Sequence, residues 1–421
     1  MSVFREKLAN GLTLLVQPLP RFASLSISLV VKTGSRYESP GEAGWCHLAE
    51  HMFFQGTRRR DNRELSRVIN AVGGNLDAYT SRESTAFHAK VPPGHLNLAL
   101  DVIADMLAHS LFSPSLLRKE KGVILEEIRM YEDEPEELIH DHFAQGLWPR
   151  HALGHSILGT RETLAAVNRS SLLDFIRRQY RPEHMLLAVS GRVTPGQVRK
   201  FARRYFAGFV PGDGKRPPLT PPPAALSRPL LKSRRLEQIH VCVGVRGLPY
   251  SDPRRIALVA LSNILGGGTN SRLFYEIRER RALAYAVYSF MDFFYDTGLL
   301  GIYLACHPGK LSESLKIIRA ELQRLATQAI SQRELRDLRE QMRGNFLLSL
   351  ENSSTYMWRM VQNEMYLQQH PGIASVLRHI RRLEREDLRT LAHELFAHQS
   401  LYLAALGPIP RSGIPTGLLG A

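Results

Sequence analysis

Two histidines four positions apart with a glutamate beside the second, His47-Leu48-Ala49-Glu50-His51, are the residues of this 421-residue chain whose spacing most directly suggests chemistry. On a helix, side chains at i and i+4 stand one turn apart on the same face, so both imidazoles can reach one ion at about 2.0 Å, the usual zinc–nitrogen distance. Glu50 falls on nearly the same face, where its carboxylate can take a proton from a water activated by the metal without being a ligand. Ser39-Pro40-Gly41-Glu42 just before the motif resembles a capping box with proline at the first helical position, which predicts the helix start. The alternative is an ordinary helix whose histidines are satisfied by neighbours. A catalytic zinc normally has three protein ligands and one open position, so a third must come from elsewhere. Glu120 and Glu127 lie seven residues apart on a helix predicted over Ser115 to Tyr131, and seven residues is almost two turns, so they share a face. Glu127 can ligate while Glu120 stands behind it and orients a histidine. Taken alone, these two acids fit a solvated face better, and Glu132, Asp133, Glu134, Glu136 and Glu137 read as such a face.

The elements that must position these residues occur twice. Strands are predicted at Leu14 to Gln17, Leu25 to Lys32 and Gln238 to Val245, and amphipathic helices at His95 to Leu107 and Leu311 to Leu325. A further helix follows each, near Ser115 to Tyr131 and Ser331 to Leu350, and aligning Ser113 with Ser331 sets Leu117 against Leu335. A proline-rich stretch over 211–229 separates the halves and should be extended and semi-rigid. The expectation is an α+β protein of two related domains, 1–210 and 230–421, each a largely antiparallel sheet packed with helices.

With 44% hydrophobic residues the chain can bury a large core. No apolar run approaches the roughly 20 residues that span a bilayer. The N-terminus lacks the zones of a signal peptide, and three cysteines, Cys46, Cys242 and Cys306, are too few for a disulfide framework. A cytoplasmic protein with no membrane partner is expected. The net charge of +15 suits polyanion binding in principle. The arginines are spread in short clusters, however: Arg58 to Arg60, Arg203 and Arg204, Arg234 and Arg235, Arg280 and Arg281, Arg381 and Arg382. No aromatic interleaving accompanies them, so solvated faces are expected and no nucleic-acid partner.

Taken together the residues resemble the pitrilysin and insulinase family of zinc peptidases, especially members related to mitochondrial processing peptidase. In that family His-x-x-Glu-His, the inverzincin signature, is followed by a ligand glutamate about 76 positions on, and Glu127 lies 76 positions after His51. The likeness continues through Phe53-Phe54-Gln55-Gly56-Thr57 and Gly73-Gly74-Asn75-Leu76-Asp77-Ala78-Tyr79-Thr80. The latter resembles the family's substrate-pairing strand and implies Asp77, Ala78 and Tyr79 as substrate-binding. Family members usually carry Asn at Asp77, a departure that touches the side-chain contact, whereas Ala78 can pair through its backbone. Gly266-Gly267-Gly268-Thr269-Asn270-Ser271-Arg272-Leu273-Phe274 and Leu283-Ala284-Tyr285 match in the second half. There the family places an Arg and a Tyr seven positions apart, which implies Arg278 and Tyr285.

The resemblance, covering about residues 5 to 405, implies one zinc per chain held by His47, His51 and Glu127, Glu50 as general base, and Arg278 and Tyr285 stabilising the carbonyl oxygen. It further implies peptide or unfolded polypeptide substrates and a chamber closed by two chains, expected as a homodimer or, failing that, a heterodimer with an inactive homologue. The second half has no His-x-x-Glu-His, and Asn345 stands where Glu127 would. Two other classes stay open on sequence: a non-catalytic core subunit of the same fold, and a basic nucleic-acid-binding protein.

Overall fold

Leu25-Ser26-Ile27-Ser28-Leu29-Val30-Val31 has no solvent-facing polar alternation beyond two small hydroxyls. That is the pattern of a strand covered on both faces, and every one of these residues is buried. The computed structural model describes residues 2–212, 219–226, 228–397 and 400–409. By contact the chain forms unit 1, Met1–Arg129, His155–Leu219 and Leu348–Gly372, and unit 2, Met130–Gly154, Thr220–Leu347 and Ile373–Ala421.

Unit 1 is built on six strands, β1 (Phe4–Lys7), β2 (Thr13–Pro18), β3 (Leu25–Val31), β4 (Asn75–Thr80), β5 (Thr85–Val91) and β6 (Met185–Gly191), in the order β1-β2-β6-β3-β5-β4. Only the β2–β6 pair is parallel. The helices in chain order are α1 (Trp45–Phe53), α2 (Asn62–Asn70), α3 (Leu96–His109), α4 (Pro114–Asp133), α5 (Pro135–Leu147), α6 (Arg161–Ala166), α7 (Arg169–Gln179) and α8 (Pro195–Phe206), of which α5 belongs to unit 2. One face of the sheet packs Ile27, Leu29, Phe87 and Leu187 against Leu48 and Met52 of α1, Leu100 and Ile103 of α3, Phe175 of α7 and Phe206 of α8.

Unit 2 has five strands, β7 (Leu230–Ser233), β8 (Ile239–Gly247), β9 (Ala284–Phe293), β10 (Gly298–Cys306) and β11 (Tyr402–Gly407), in the order β7-β11-β8-β10-β9. Its helices are α9 (Arg255–Gly266), α10 (Leu311–Thr327), α11 (Gln332–Ser349), α13 (Ile373–Arg382) and α14 (Arg385–Ala397), and α12 (Ser353–Tyr366) belongs to unit 1. The pairing β7–β11 is parallel and the rest antiparallel. This reproduces β2-β6-β3-β5-β4 strand for strand, so the expected α+β repeat is present at the level of topology.

The compact units depart from the expected boundaries at 1–210 and 230–421, and burial is the reason. The second face of the first sheet (Leu15, Val30, Ala86, Leu186, Ala188) is covered by Met357, Met360 and Val361 of α12. Ser26 and Ser190 hold the start of that helix through hydroxyl contacts to Ser353. The second face of the other sheet (Cys242, Tyr303, Ala404, Leu406) is covered by Ile139, Phe143 and Leu147 of α5. Each half therefore contributes the helix after its long helix to the other half's sheet. Of the proline-rich stretch expected over 211–229, residues 213–218 and 227 lie outside the described residues, and 219–226 carry no helix or strand.

Gly146 shows how tightly α5 seats, because a Cβ there would fall 1.8 Å from Tyr402 Cζ on β11. Gly146→Ala is expected to destabilise by about 1–3 kcal/mol through overpacking. Gly344→Ala, on α11 with nothing within 4 Å, should be neutral or stabilising by up to about 1 kcal/mol. Thermal unfolding of both variants checks this, and a Gly146→Ala midpoint equal to the parent's would rule out the close approach.

Candidate metal centre

The site begins at the start of α1. Gly44 takes φ +86° at the N-cap, and a Cβ there would meet Leu158 O at 2.6 Å. Glu38 then caps the helix: its Oε2 accepts from Gly44 N at 2.9 Å and its Oε1 from Cys46 N at 2.6 Å. Burial pushes the Glu38 carboxyl up to about 7 despite those donors. The capping box expected to begin the motif helix does form, but it closes a separate short turn, Pro40–Glu42, ahead of α1. Glu38 was missed because its partners, six and eight residues on, fit no local capping pattern.

Trp45, Cys46, Leu48, Ala49, Met52 and Phe53 drive one side of α1 into the core. This leaves His47, Glu50 and His51 on the remaining face, with the two imidazole rings 4.5 Å apart. From α4, Glu127 brings Oε2 to 3.9 Å from His47 Nε2 and 3.7 Å from His51 Nε2. One turn pair earlier, Glu120 is buried, with Oε2 at 3.2 Å from His51 Nδ1. The three outer groups offer ligand atoms within 4.8 Å of one another. Glu126, by contrast, faces solvent and pairs with Arg129.

These residues fit a zinc ion on three observations. Glu127 Oε2 is buried without a hydrogen-bond partner, the gap an ion would fill. Burial, with His51 as the second cause, lowers His47 to about 4, so its imidazole is neutral and able to ligate at pH 7. The contact to Glu120 leaves Nε2 of His51 as the nitrogen directed at Glu127, the usual division of labour for a ligating histidine.

Glu50 is 9% exposed. Burial raises its carboxyl above the ordinary value; Thr80 and His51 oppose that shift, and the charges of Asp77 and Glu127 add to it. Thr80 Oγ1 donates to Glu50 Oε2 at 2.5 Å. Thr80 ends the expected substrate strand, and strand alternation could have set it on the same side as Ala78, although no role was read for it. Asp77, Ala78 and Tyr79 lie on β4, the edge strand of the sheet. Asp77 Oδ1 accepts from its neighbour Ala78 N at 2.9 Å. The Tyr79 ring points to the α12 side, 5.1 Å from Trp358 and 6.1 Å from His88.

Arg278 and Tyr285 are brought together in unit 2. Arg278 sits on a π-helical turn, Phe274–Glu279, with its guanidinium 4.7 Å over the Tyr285 ring and 4.9 Å over Phe274. Tyr285 is 74% exposed. Cys46 is fully buried, and none of the three cysteines is in a disulfide. Among the described residues no helix is long and apolar enough to cross a membrane.

Two family models match in tandem, one described as Insulinase (Peptidase family M16) over residues 16–161 and one as Peptidase M16 inactive domain over residues 166–342. The chain is 36% identical to the uncharacterized zinc protease YmxG of Bacillus subtilis, over 95% of this chain and 97% of that one. It is likewise 36% identical to an uncharacterized zinc protease of Streptomyces coelicolor, over 97% and 90% of the two chains. Among solved structures, a protease from Helicobacter pylori superposes with a TM-score of 0.90 at 22% identity, covering 97% of this chain and 99% of that one. A peptidase M16 inactive domain from Pseudomonas fluorescens gives 0.90 at 18%, covering 97% and 98%. At those identities the two structures bear on the fold, which they share.

If Glu120 orients His51, Glu120→Gln should weaken zinc binding about 10- to 100-fold, read by competition with a chromogenic chelator. A change under about twofold would leave Glu120 without that role.

Proposed function

The chain belongs to peptidase family M16, the insulinase family, and is a zinc metallopeptidase; from that premise we propose that it is an endopeptidase in which Glu50 is the general base. The observation that carries this is the Glu50 carboxylate, buried beside both histidines of α1, with one oxygen tied by Thr80 and proton affinity raised by burial. His47, His51 and Glu127 would hold one zinc per chain. When bound, zinc supplies Lewis-acid chemistry, polarising the peptide carbonyl and making water a stronger acid.

Glu50 takes a proton from the attacking water at Oε1, the oxygen that Thr80 leaves free. The water oxygen bonds to the carbonyl carbon, the C–N bond breaks, and Glu50 returns its proton to the leaving amine nitrogen. Arg278 and Tyr285 donate to the carbonyl oxygen as it gains charge, and stacking of the guanidinium on the phenol ring limits the orientations of both. The open edge of β4 suits backbone pairing with an extended peptide, with Ala78 contributing main-chain groups and Asp77 and Tyr79 facing neighbouring substrate side chains. Closure of a chamber by a second copy of the chain would select peptides and unfolded segments; a heterodimer with an inactive homologue is the other assembly of this kind.

Glu50→Gln should keep its zinc and lose about 10²- to 10⁴-fold in peptide turnover. Tyr285→Phe should keep zinc and lose kcat with little change in KM. Wild-type turnover in either variant removes that residue from the mechanism. Sedimentation of the zinc-loaded protein should give twice the 47.6 kDa chain mass; a fully active monomer would sink the two-chain chamber.

A further inference from the structure

Of the seven runs of adjacent arginines in the sequence, six meet acids in the folded chain. Arg59 and Arg60 pair with Asp101 and Asp105, Arg177 with Asp174, Arg178 with Glu42, Arg203 with Glu6, Arg234 with Asp133, Arg254 with Asp252 and Glu394, and Arg280 and Arg281 with Glu276. The seventh, Arg381 and Arg382 at the end of α13, has no ion pair among the described residues. Arg381 instead lines a groove of about 680 Å³ between α11 and α13, together with Arg336, Arg339, Arg343 and Arg378. Glu340 is the only acid lining it, so five guanidinium groups face one carboxylate and leave a formal +4.

The spacing makes this a set of two facing rows. Arg336, Arg339 and Arg343 recur at i, i+3 and i+7 on α11, spanning about 10 Å, while Leu335, Leu338 and Met342 take the buried side of that helix. Arg378 and Arg381 stand one turn apart on α13. Arg339 is pinned by Nε to Leu383 O at 2.9 Å, and Arg343 contacts Glu340 at 3.2 Å. Arg336, Arg378 and Arg381 make no ion pair among the described residues, so their donors face the groove or solvent. Ala374, Leu377 and Ile380 add an apolar floor.

We propose that this groove is a binding site for a compact polyphosphate, an anion carrying two or more linked phosphate groups. Guanidinium forks bind phosphate oxygens bidentately, and a single phosphate would neutralise only part of the +4. The volume falls in the roughly 300–1,000 Å³ range of small-ligand sites. The rows end after two turns, too short to track an extended nucleic-acid strand with one charge per about 3.4 Å over many residues. A nucleotide could also lay its base on the apolar floor, which an inorganic polyphosphate would leave uncovered.

Calorimetric titration of the zinc-loaded full chain at 0.15 M salt tests this. Tripolyphosphate and ATP are expected to bind with Kd below about 1 mM, and orthophosphate at least tenfold more weakly. The double substitution Arg336→Ala with Arg378→Ala should weaken both ligands at least tenfold while zinc content and peptidase rate stay at the parent's level. Arg378→Gln alone should show a smaller loss, and Arg58→Ala none. ATP binding several-fold tighter than tripolyphosphate assigns the site to a nucleotide, and equal binding assigns it to inorganic polyphosphate. The proposal is overturned by no binding, by orthophosphate binding as tightly, or by affinity unchanged in the double variant. It is equally overturned by a single-stranded RNA oligomer that binds through these arginines and is not displaced by tripolyphosphate.

Discussion

The candidate metal centre on α1 places two opposed demands on nine residues. Trp45, Cys46, Leu48, Ala49, Met52 and Phe53 must be buried to anchor the helix, while His47, Glu50 and His51 must stay reachable. A helical period of 3.6 separates these sets onto different faces, but rotation about the axis has to be held tightly for three donor atoms to converge. Gly44, whose positive φ lets the chain approach Leu158, and the buried Glu38 carboxylate on the first free amides hold the helix start. The core under α1 holds the rest.

The surrounding groups are then tuned by burial more than by charge. His47 is driven toward its neutral form and Glu50 toward its protonated form by the same desolvation. Both shifts suit the roles proposed for these residues, since a ligand imidazole must be unprotonated and a general base must hold a proton long enough to return it. Thr80 couples this pair to the sheet, because the hydroxyl that ties Glu50 belongs to the edge strand β4.

Charge is handled differently away from the site. Many arginines lie in local pairs, such as Arg60 with Asp101 and Asp105 or Arg272 with Glu321 and Glu334, but a net +15 is the surplus that no such pairing removes. The groove between α11 and α13 is one place where part of that surplus collects, and the high overall charge gives no hint of where such a place lies.

What the sequence determined by itself was local and periodic. The spacing of His47, Glu50 and His51 follows from the helical repeat, the shared face of Glu120 and Glu127 from two turns of α4, and the paired halves from hydrophobic patterns that recur as β2-β6-β3-β5-β4 and β7-β11-β8-β10-β9. Resemblance to known peptidases singled out Glu127 among many acids and picked Arg278 and Tyr285, which no spacing rule would select. Tertiary structure decided the contacts that no local pattern announces: the Glu38 cap, the Thr80 tie on Glu50, the Glu120 contact to His51, and the exchange by which α5 and α12 each cover the other half's sheet. The exchange depends on which apolar faces find each other across hundreds of residues. Periodicity marks a face as apolar, but it does not say which partner will bury it.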